Sequence, residues 1–167
     1  GEQRLVGEVW HVAETIAAIA PHDSVERFEG LGVRVLRAEA RFTGPAELQA
    51  GPHRIVARRI VLATGSRPAV PAIPGLADVP YLTNETLFAN RALPDHLVVI
   101  GGGPVGLEMA QAHRRLGARV TVLETGRVLA RDDRELADVV VRRLVREGID
   151  LREQARIARV ERAALGT

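Results

Sequence analysis

Three glycines beyond the middle of the chain have a spacing that could bind a phosphate group. Gly101, Gly103 and Gly106 form the pattern G-x-G-x-x-G directly after an apolar run at 97–100. The first glycine permits a tight turn out of a strand, the second lets a pyrophosphate approach the backbone, and the third lets a helix pack closely. The sequence therefore predicts a dinucleotide-binding segment made of Gly101, Gly102, Gly103, Pro104, Val105 and Gly106.

An acidic residue further along supports the same chemistry. Glu124 follows the glycines by about the 20 residues at which an acid hydrogen-bonds the adenosine ribose. A carboxylate there accepts from a 2′-hydroxyl and repels a 2′-phosphate, which favours NAD over NADP, although Arg127 could reach a phosphate. The alternative to a binding site is that the glycines form only a turn and that Glu124 is a solvated residue at a strand end. That alternative requires the strand, the glycines, the helix and the acid to coincide by chance.

The elements that position these residues alternate between strand and helix. A fully buried parallel strand is predicted at 97–100 and a helix from Pro104 to Leu116, since proline suits a first helical turn and Gly117 follows. A second strand covers 119–123, a third begins at 149–151, and Ile157 and Val160 suggest a further short strand. A helix at about 132–147 is predicted between the second and third strands. Its predicted buried stripe is Leu136, Val139, Val140, Leu144 and Val145, beside a solvated face of Arg142, Arg143 and Arg146. This order predicts a parallel α/β unit with right-handed crossovers.

The first half of the chain has a different pattern. Apolar spacing predicts a helix over 5–20 that ends before Pro21, and Asp23 or Ser24 could cap a short second helix. Strands are predicted at 33–36, 40–43 and 53–57, and turn signals between them indicate a β-meander over 33–64 that returns into a strand at 60–63. A proline-rich connector follows.

Composition excludes several kinds of site. The 23 basic residues are all arginine and exceed the 21 acidic ones by only two, without a concentrated basic face, so nucleic-acid binding is not expected. The chain has no cysteine, which excludes disulfides, cysteine metal sites and thiol catalysis by its own residues. The histidines lack metal-ligand spacing, and no apolar run reaches the length of a membrane span.

Three segments resemble those of a known family: 63–68 (A-T-G-S-R-P), 73–75 (I-P-G) and 101–108 (G-G-G-P-V-G-L-E). Together they resemble the pyridine nucleotide-disulfide oxidoreductases, and the dihydrolipoamide dehydrogenase and mercuric reductase types in particular. The resemblance implies an α/β fold: a Rossmann-like NAD(P)-binding βαβαβ unit plus part of an FAD-binding domain, with its β-meander and A-T-G strand. We expect a partial FAD-binding domain at 1–68, a connector at 69–95 and an NAD(P)-binding domain at 96–167.

The resemblance also implies site residues. Thr64, Gly65 and Ser66 match residues that lie against FAD, and Ala40 matches a position near the adenine. Glu108 matches an acid close to the nicotinamide, and Ile157 matches an apolar residue that lines the adenine pocket.

The chain departs from the family in ways that shape the expected function. A second glycine fingerprint, the redox cysteine pair and the C-terminal dimerisation domain are absent, so we expect a central fragment of a cytoplasmic, homodimeric flavoenzyme. The parent would pass hydride from NAD(P)H to FAD and on to a disulfide, a metal ion or a small acceptor. The isolated chain, with no catalytic residue of its own, is expected to be inactive. The alternative is a non-enzymatic module that senses NAD(H), which fold alone does not separate from the enzyme.

Overall fold

A computed structural model describes residues 12–162, which form two compact units, 12–67 and 68–162. In the first unit, residues 12–19 are helical (α1) and a 3-10 turn follows at Ala20–Asp23. The short helix α2, Val25–Gly30, begins after Ser24, whose hydroxyl accepts a hydrogen bond from the Arg27 N–H. The predicted serine cap is therefore confirmed, whereas the first residues of the predicted 5–20 helix lie outside the described part of the chain.

The β-meander of the first unit is confirmed. Strands β1 (Ala40–Gly44), β2 (Glu47–Ala50) and β3 (His53–Val56) pair antiparallel in chain order. Gly51, with φ of +55°, makes the tight turn between β2 and β3, a backbone region in which glycine carries no steric penalty. An ion pair between Arg54 and Glu47 joins the same two strands across their exposed face.

Two predicted strands in this unit are wrong. Residues 33–36 and 60–63 lie outside regular structure, and the side chains of Val61 and Leu62 are 86% and 71% exposed. A strand needs a neighbour to pair its N–H and C=O groups, and within 12–67 no strand lies beside either segment. Residues 60–63 are consequently unpaired chain, although they have the apolar composition of a buried strand.

The second unit has the predicted strand and helix order. Its parallel sheet consists of β4 (His96–Ile100), β5 (Arg119–Leu123) and β6 (Asp150–Arg152), in that spatial order. Helix α3 (Pro104–Leu116) connects β4 to β5, and helix α4 (Arg134–Arg146) connects β5 to β6. Gly117 ends α3 in the left-handed region, with φ of +112°, and Asp133 caps α4 by accepting from the Glu135 and Leu136 N–H groups.

The core of this unit lies between the sheet and the helices. Its buried members come from α3, β5, α4 and the segments that connect them, and are Leu107, Ala110, Ala118, Val120, Val122, Val128, Leu144 and Ile149. Glu147, directly after α4, joins the two helices. Its carboxylate accepts hydrogen bonds from Gln111 and Arg115 of α3 and from Arg143 of α4. These arginines, Arg115 first, lower the pKa of Glu147 to about 2. The end of α4 is thereby fastened to α3.

Burial of β4 and α4 differs from the prediction. Val98 and Ile100 are 48% and 38% exposed, because β5 is the only strand paired with β4 among the described residues. On α4, Leu144 and Ala137 are buried, but the rest of the predicted stripe is exposed, namely Leu136, Val139, Val140 and Val145. The helix contacts the core along one narrow line, so apolar periodicity alone overestimated the buried stripe.

The predicted strand at 157–160 is also wrong. Residues 155–162 have no strand pairing, and the Val160 N–H instead donates to the carbonyl oxygen of Pro74 at 2.9 Å. Gly75 lies so close to Val160 that a Cβ there would overlap the Val160 carbonyl oxygen. This contact joins the end of the unit to the connector, whose own regular structure is limited to 3-10 turns at Leu76–Asp78 and Leu87–Ala89.

Within residues 12–162, no helix has the length and hydropathy needed to cross a membrane. The same residues contain no group of three or more His, Asp or Glu side chains arranged to hold a metal ion.

Candidate dinucleotide-binding site

The first and third glycines of the motif shape the turn from β4 into α3. Gly101 has φ of +116°, a conformation that side chains rarely adopt, and its N–H donates to the Leu123 carbonyl oxygen at 2.9 Å. A Cβ on Gly106 would overlap the Gly101 carbonyl oxygen and lie 3.3 Å from Val99 Cγ1. Gly101 therefore needs glycine for its backbone conformation. Gly106 needs glycine because the first turn of α3 lies directly on the end of β4.

The second glycine of the motif leaves an open surface. Gly103 is the N-terminal cap of α3, and a Cβ built on it has no heavy atom within 4 Å. The N–H groups of a first helical turn have no intrahelical partner and carry a partial positive charge. Pro104 begins the helix, as predicted. The protein thus provides open backbone at a helix N-terminus, the arrangement that binds phosphates elsewhere.

Gly102, between these positions, is buried and held on both sides of its backbone. Its N–H donates to Glu124 Oε2 at 2.7 Å, and its carbonyl oxygen accepts from the Leu129 N–H at 3.0 Å. A Cβ on Gly102 would lie 2.8 Å from Val128 Cγ2 and 3.1 Å from Glu124 Cβ. The G-x-G-x-x-G pattern does not require glycine at this position, although the predicted binding segment includes it. The only sequence signal of its tight packing is the unbroken run of three glycines.

Glu124 lies immediately after β5, beside the glycine loop, where the ribose acid was predicted. Its Oε1 accepts from the Gly126 N–H at 2.7 Å and from the Thr125 hydroxyl at 3.3 Å. These donors, Gly102 N–H first and Gly126 N–H second, hold the pKa of Glu124 below its ordinary 4.5. The carboxylate is therefore ionised at neutral pH, and two oxygens with four lone-pair sites retain capacity for a hydroxyl donor.

A segment after β5 supports the glycine loop from behind. Val128 is 1% exposed, and its N–H donates to Glu153 Oε1 at 2.8 Å. Leu129 adopts a left-handed backbone, with φ of +53°, as it donates to Gly102. Motif spacing gave no sign of this support, because Glu153 lies 25 residues after Val128 and meets it only through the fold.

A cavity of about 510 Å³ opens beside the outer edge of β4. Its walls combine the strand and the start of α3, through Val98, Gly103 and Val105, with connector residues such as Val70 and Tyr81. The lining is largely apolar, as is usual for small-molecule pockets.

Other predicted site residues lie at separate places. Glu108 is exposed on α3 and borders a groove of about 360 Å³ shared with Leu136 of α4, so it does not line the cavity beside β4. Ile157 is half-buried and borders, with Leu123 and Ala155, an open cavity of about 510 Å³ at the carboxyl end of β5. The structure thus brings Ile157 to the strand end that precedes Glu124.

The residues predicted to contact FAD all belong to the unit 12–67. Ala40 begins β1 and pairs with Ala50 of β2, while Thr64, Gly65 and Ser66 are exposed in the segment that follows the meander. Gly65 has φ of +71°, in the left-handed region that favours glycine.

Comparisons with known proteins agree with this geometry. A family profile described as pyridine nucleotide-disulphide oxidoreductase matches residues 6–165. A mercuric reductase of Shigella flexneri is 38% identical over 144 residues, which cover 80% of this chain and 26% of that protein. This chain therefore spans about a quarter of the length of that relative.

Solved structures give the same result. The copper(II) complex of the HOCl-induced flavoprotein disulfide reductase RclA from Escherichia coli matches with a TM-score of 0.66 and 27% identity, over 98% of this chain and 40% of that one. LpdA from Mycobacterium tuberculosis matches with a TM-score of 0.70 and 25% identity, over 99% of this chain and 43% of that one.

Proposed function

The chain belongs to the pyridine nucleotide-disulphide oxidoreductase family, and from that premise we propose that residues 68–162 bind NAD(H) for an FAD-dependent oxidoreductase. The observation that carries the proposal is the open backbone at Gly103. It lies at the start of α3, between the tightly packed Gly102 and Gly106. Backbone amides in this position would hold the diphosphate, because they supply donors and a positive helix end without a side chain in the way.

Glu124 supports NAD rather than NADP in this proposal. Its depressed pKa keeps a negative charge at the strand end, where an adenosine 2′-phosphate would be repelled and a 2′-hydroxyl could donate. Ile157, near the same strand end, would contact the adenine through its apolar side chain. Glu108 would approach the nicotinamide only if the ligand reached the groove between α3 and α4.

FAD, when bound, supplies the acceptor for the hydride of NADH. The family resemblance assigns Thr64, Gly65 and Ser66 to the flavin nucleotide, and Ala40 to its adenine end. Their exposure fits contact through backbone groups, and Gly65 adds no side chain at that surface. The onward acceptor would be a disulfide, a metal ion or a small molecule, in line with relatives named mercuric reductase and flavoprotein disulfide reductase.

Gly103→Val tests the diphosphate site directly. A Cβ at this position has no heavy atom within 4 Å, so the fold should survive while the ligand is obstructed. We expect NADH affinity, measured by titration calorimetry, to fall by at least about tenfold, which corresponds to roughly 1.4 kcal/mol.

Gly30→Val is the matched control, because Gly30 also has open space around its Cβ and a φ outside the left-handed region. It lies in the other unit and should leave NADH affinity unchanged. Wild-type affinity in Gly103→Val, with thermal unfolding unchanged in both variants, would contradict the proposed site.

A further inference from the structure

The turn after β6 is attached to the segment after β5 by three consecutive residues. The Glu153 carboxylate accepts from the Val128 N–H, the Gln154 N–H donates to the Gly126 carbonyl oxygen, and the Ala155 N–H donates to the Glu124 carbonyl oxygen. The last two contacts join backbone to backbone and are insensitive to side-chain type. Glu153 therefore supplies the one contact of the three that a substitution can remove selectively.

The segment held by Glu153 is the one that holds the glycine loop. Val128 lies so close to Gly102 that a Cβ there would be 2.8 Å from Val128 Cγ2, and the next residue, Leu129, donates its N–H to the Gly102 carbonyl oxygen. On its other side, the Gly102 N–H is fixed by Glu124. The peptide that leads into Gly103 is thus oriented by two contacts, and one of them depends on where Val128 and Leu129 lie.

Two arginines close to Glu153 in the chain are paired with other carboxylates. Arg152 binds Asp150, with its Nε and NH2 atoms 2.9 Å and 2.8 Å from Asp150 Oδ2. Arg159 binds Glu161 at 2.7 Å. The Glu153 carboxylate accepts from the Val128 N–H at 2.8 Å, and a hydrogen bond to a carboxylate is stronger than one between two neutral groups.

We propose that Glu153 is a positioning residue for the dinucleotide site. It fixes Val128 and Leu129, which in turn fix the backbone of Gly102 and Gly103 that faces the diphosphate. Glu153 itself lies behind the loop and acts on the ligand only through that backbone. The proposal rests on the proposed function for its effect on binding, whereas its effect on the loop is independent of any ligand.

The test uses the whole chain with Glu153→Ala, Glu153→Gln and, as a charge-matched control, Glu135→Ala on the exposed side of α4. Amide hydrogen exchange reports on the loop without ligand, and calorimetry compares NADH, ADP and adenosine. We expect Glu153→Ala to lose about tenfold of the exchange protection at Val128 and Leu129 and about tenfold of NADH and ADP affinity. Adenosine, which has no diphosphate, should bind equally to all variants.

Glu153→Gln keeps an oxygen that can accept from the Val128 N–H, so it should restore most of the protection and most of the affinity. Glu135→Ala should match the wild type. An alanine variant with unchanged protection at Val128 overturns the proposal, and so does equal loss of protection at core amides such as Val122, which would indicate general destabilisation. If the wild type fails to bind NADH, the proposed function fails, while the exchange data still decide whether Glu153 holds the loop.

Discussion

At the scale of single residues, Glu124 has a structural task beside the ribose contact that its motif position predicts. Its carboxylate accepts from the Gly102 and Gly126 N–H groups, so it holds the glycine loop in addition to the ribose contact proposed for it. The sequence predicted the place of this acid from its spacing to the glycines. The two backbone contacts were not predictable, because they depend on how the loop folds back toward the end of β5.

Glu124→Gln tests both tasks, because the NADH affinity reports on the loop and the NADPH-to-NADH ratio reports on the charge. Glutamine offers one oxygen to two N–H donors and places an amide against the other, so it should loosen the loop and remove the negative charge. We expect NADH affinity to fall by about tenfold and the NADPH-to-NADH affinity ratio to rise, both measured by calorimetry. Glu135→Gln is the control on an exposed face, and an unchanged ratio in Glu124→Gln would contradict a ribose-side role for this carboxylate.

At the scale of elements, periodicity predicted the βαβαβ order, and residue type predicted the end of α3 at Gly117 and gave Ser24 as one of two candidate caps. These features depend on local chemistry. Burial was less predictable. The exposed stripe of α4 and the unpaired segment 60–63 have the apolar composition of buried structure, but burial is decided by which neighbours lie alongside. Local sequence carries no information about those neighbours.

A pair of leucine substitutions on α4 measures this difference. Leu144 is 2% exposed and Leu136 is 68% exposed on the same helix. Leu144→Ala should lower the free energy of unfolding by about 2–5 kcal/mol, because it leaves a cavity in the core. Leu136→Ala should change it by no more than about 0.5 kcal/mol. Urea denaturation followed by circular dichroism decides, and equal losses in the two variants would contradict the burial described for α4.

The tie between α3 and α4 predicts a pH dependence. Because the pKa of Glu147 in the folded chain is about 2 against an ordinary 4.5, its contribution to stability is complete above pH 4.5. That contribution is lost as pH falls toward 2, when the carboxylate takes up a proton and releases Arg115 and Arg143. Glu147→Gln should therefore lower the unfolding temperature at pH 7 and flatten its decline below pH 4.5, relative to the unsubstituted chain.

At the scale of the whole molecule, the chain has nucleotide-site features without the thiols that its family name implies. It contains no cysteine and spans about a quarter of the length of the mercuric reductase it matches. Dinucleotide binding and electron delivery to a disulfide or metal ion are separable tasks, and only the first has candidate residues in this sequence.

The purified chain of 167 residues should accordingly bind NADH but not oxidise it catalytically. With added FAD and either a disulfide or mercuric ion, we expect no steady loss of NADH absorbance, since no thiol is present to relay electrons. Gly103→Val serves as the non-binding reference. A steady rate in the unsubstituted chain that the reference lacks would contradict this prediction.

The two sheets differ in how far apart along the chain their paired residues lie, and that difference bears on how each forms. In the meander, Ala40 pairs with Ala50, whereas in the parallel sheet His96 pairs with Arg119 across a whole helix. Short chain loops close quickly, and parallel pairing must wait for its crossover, so the hairpins should assemble within microseconds and the parallel sheet more slowly. A newly synthesised chain would then acquire its antiparallel strands before any surface for a nucleotide exists.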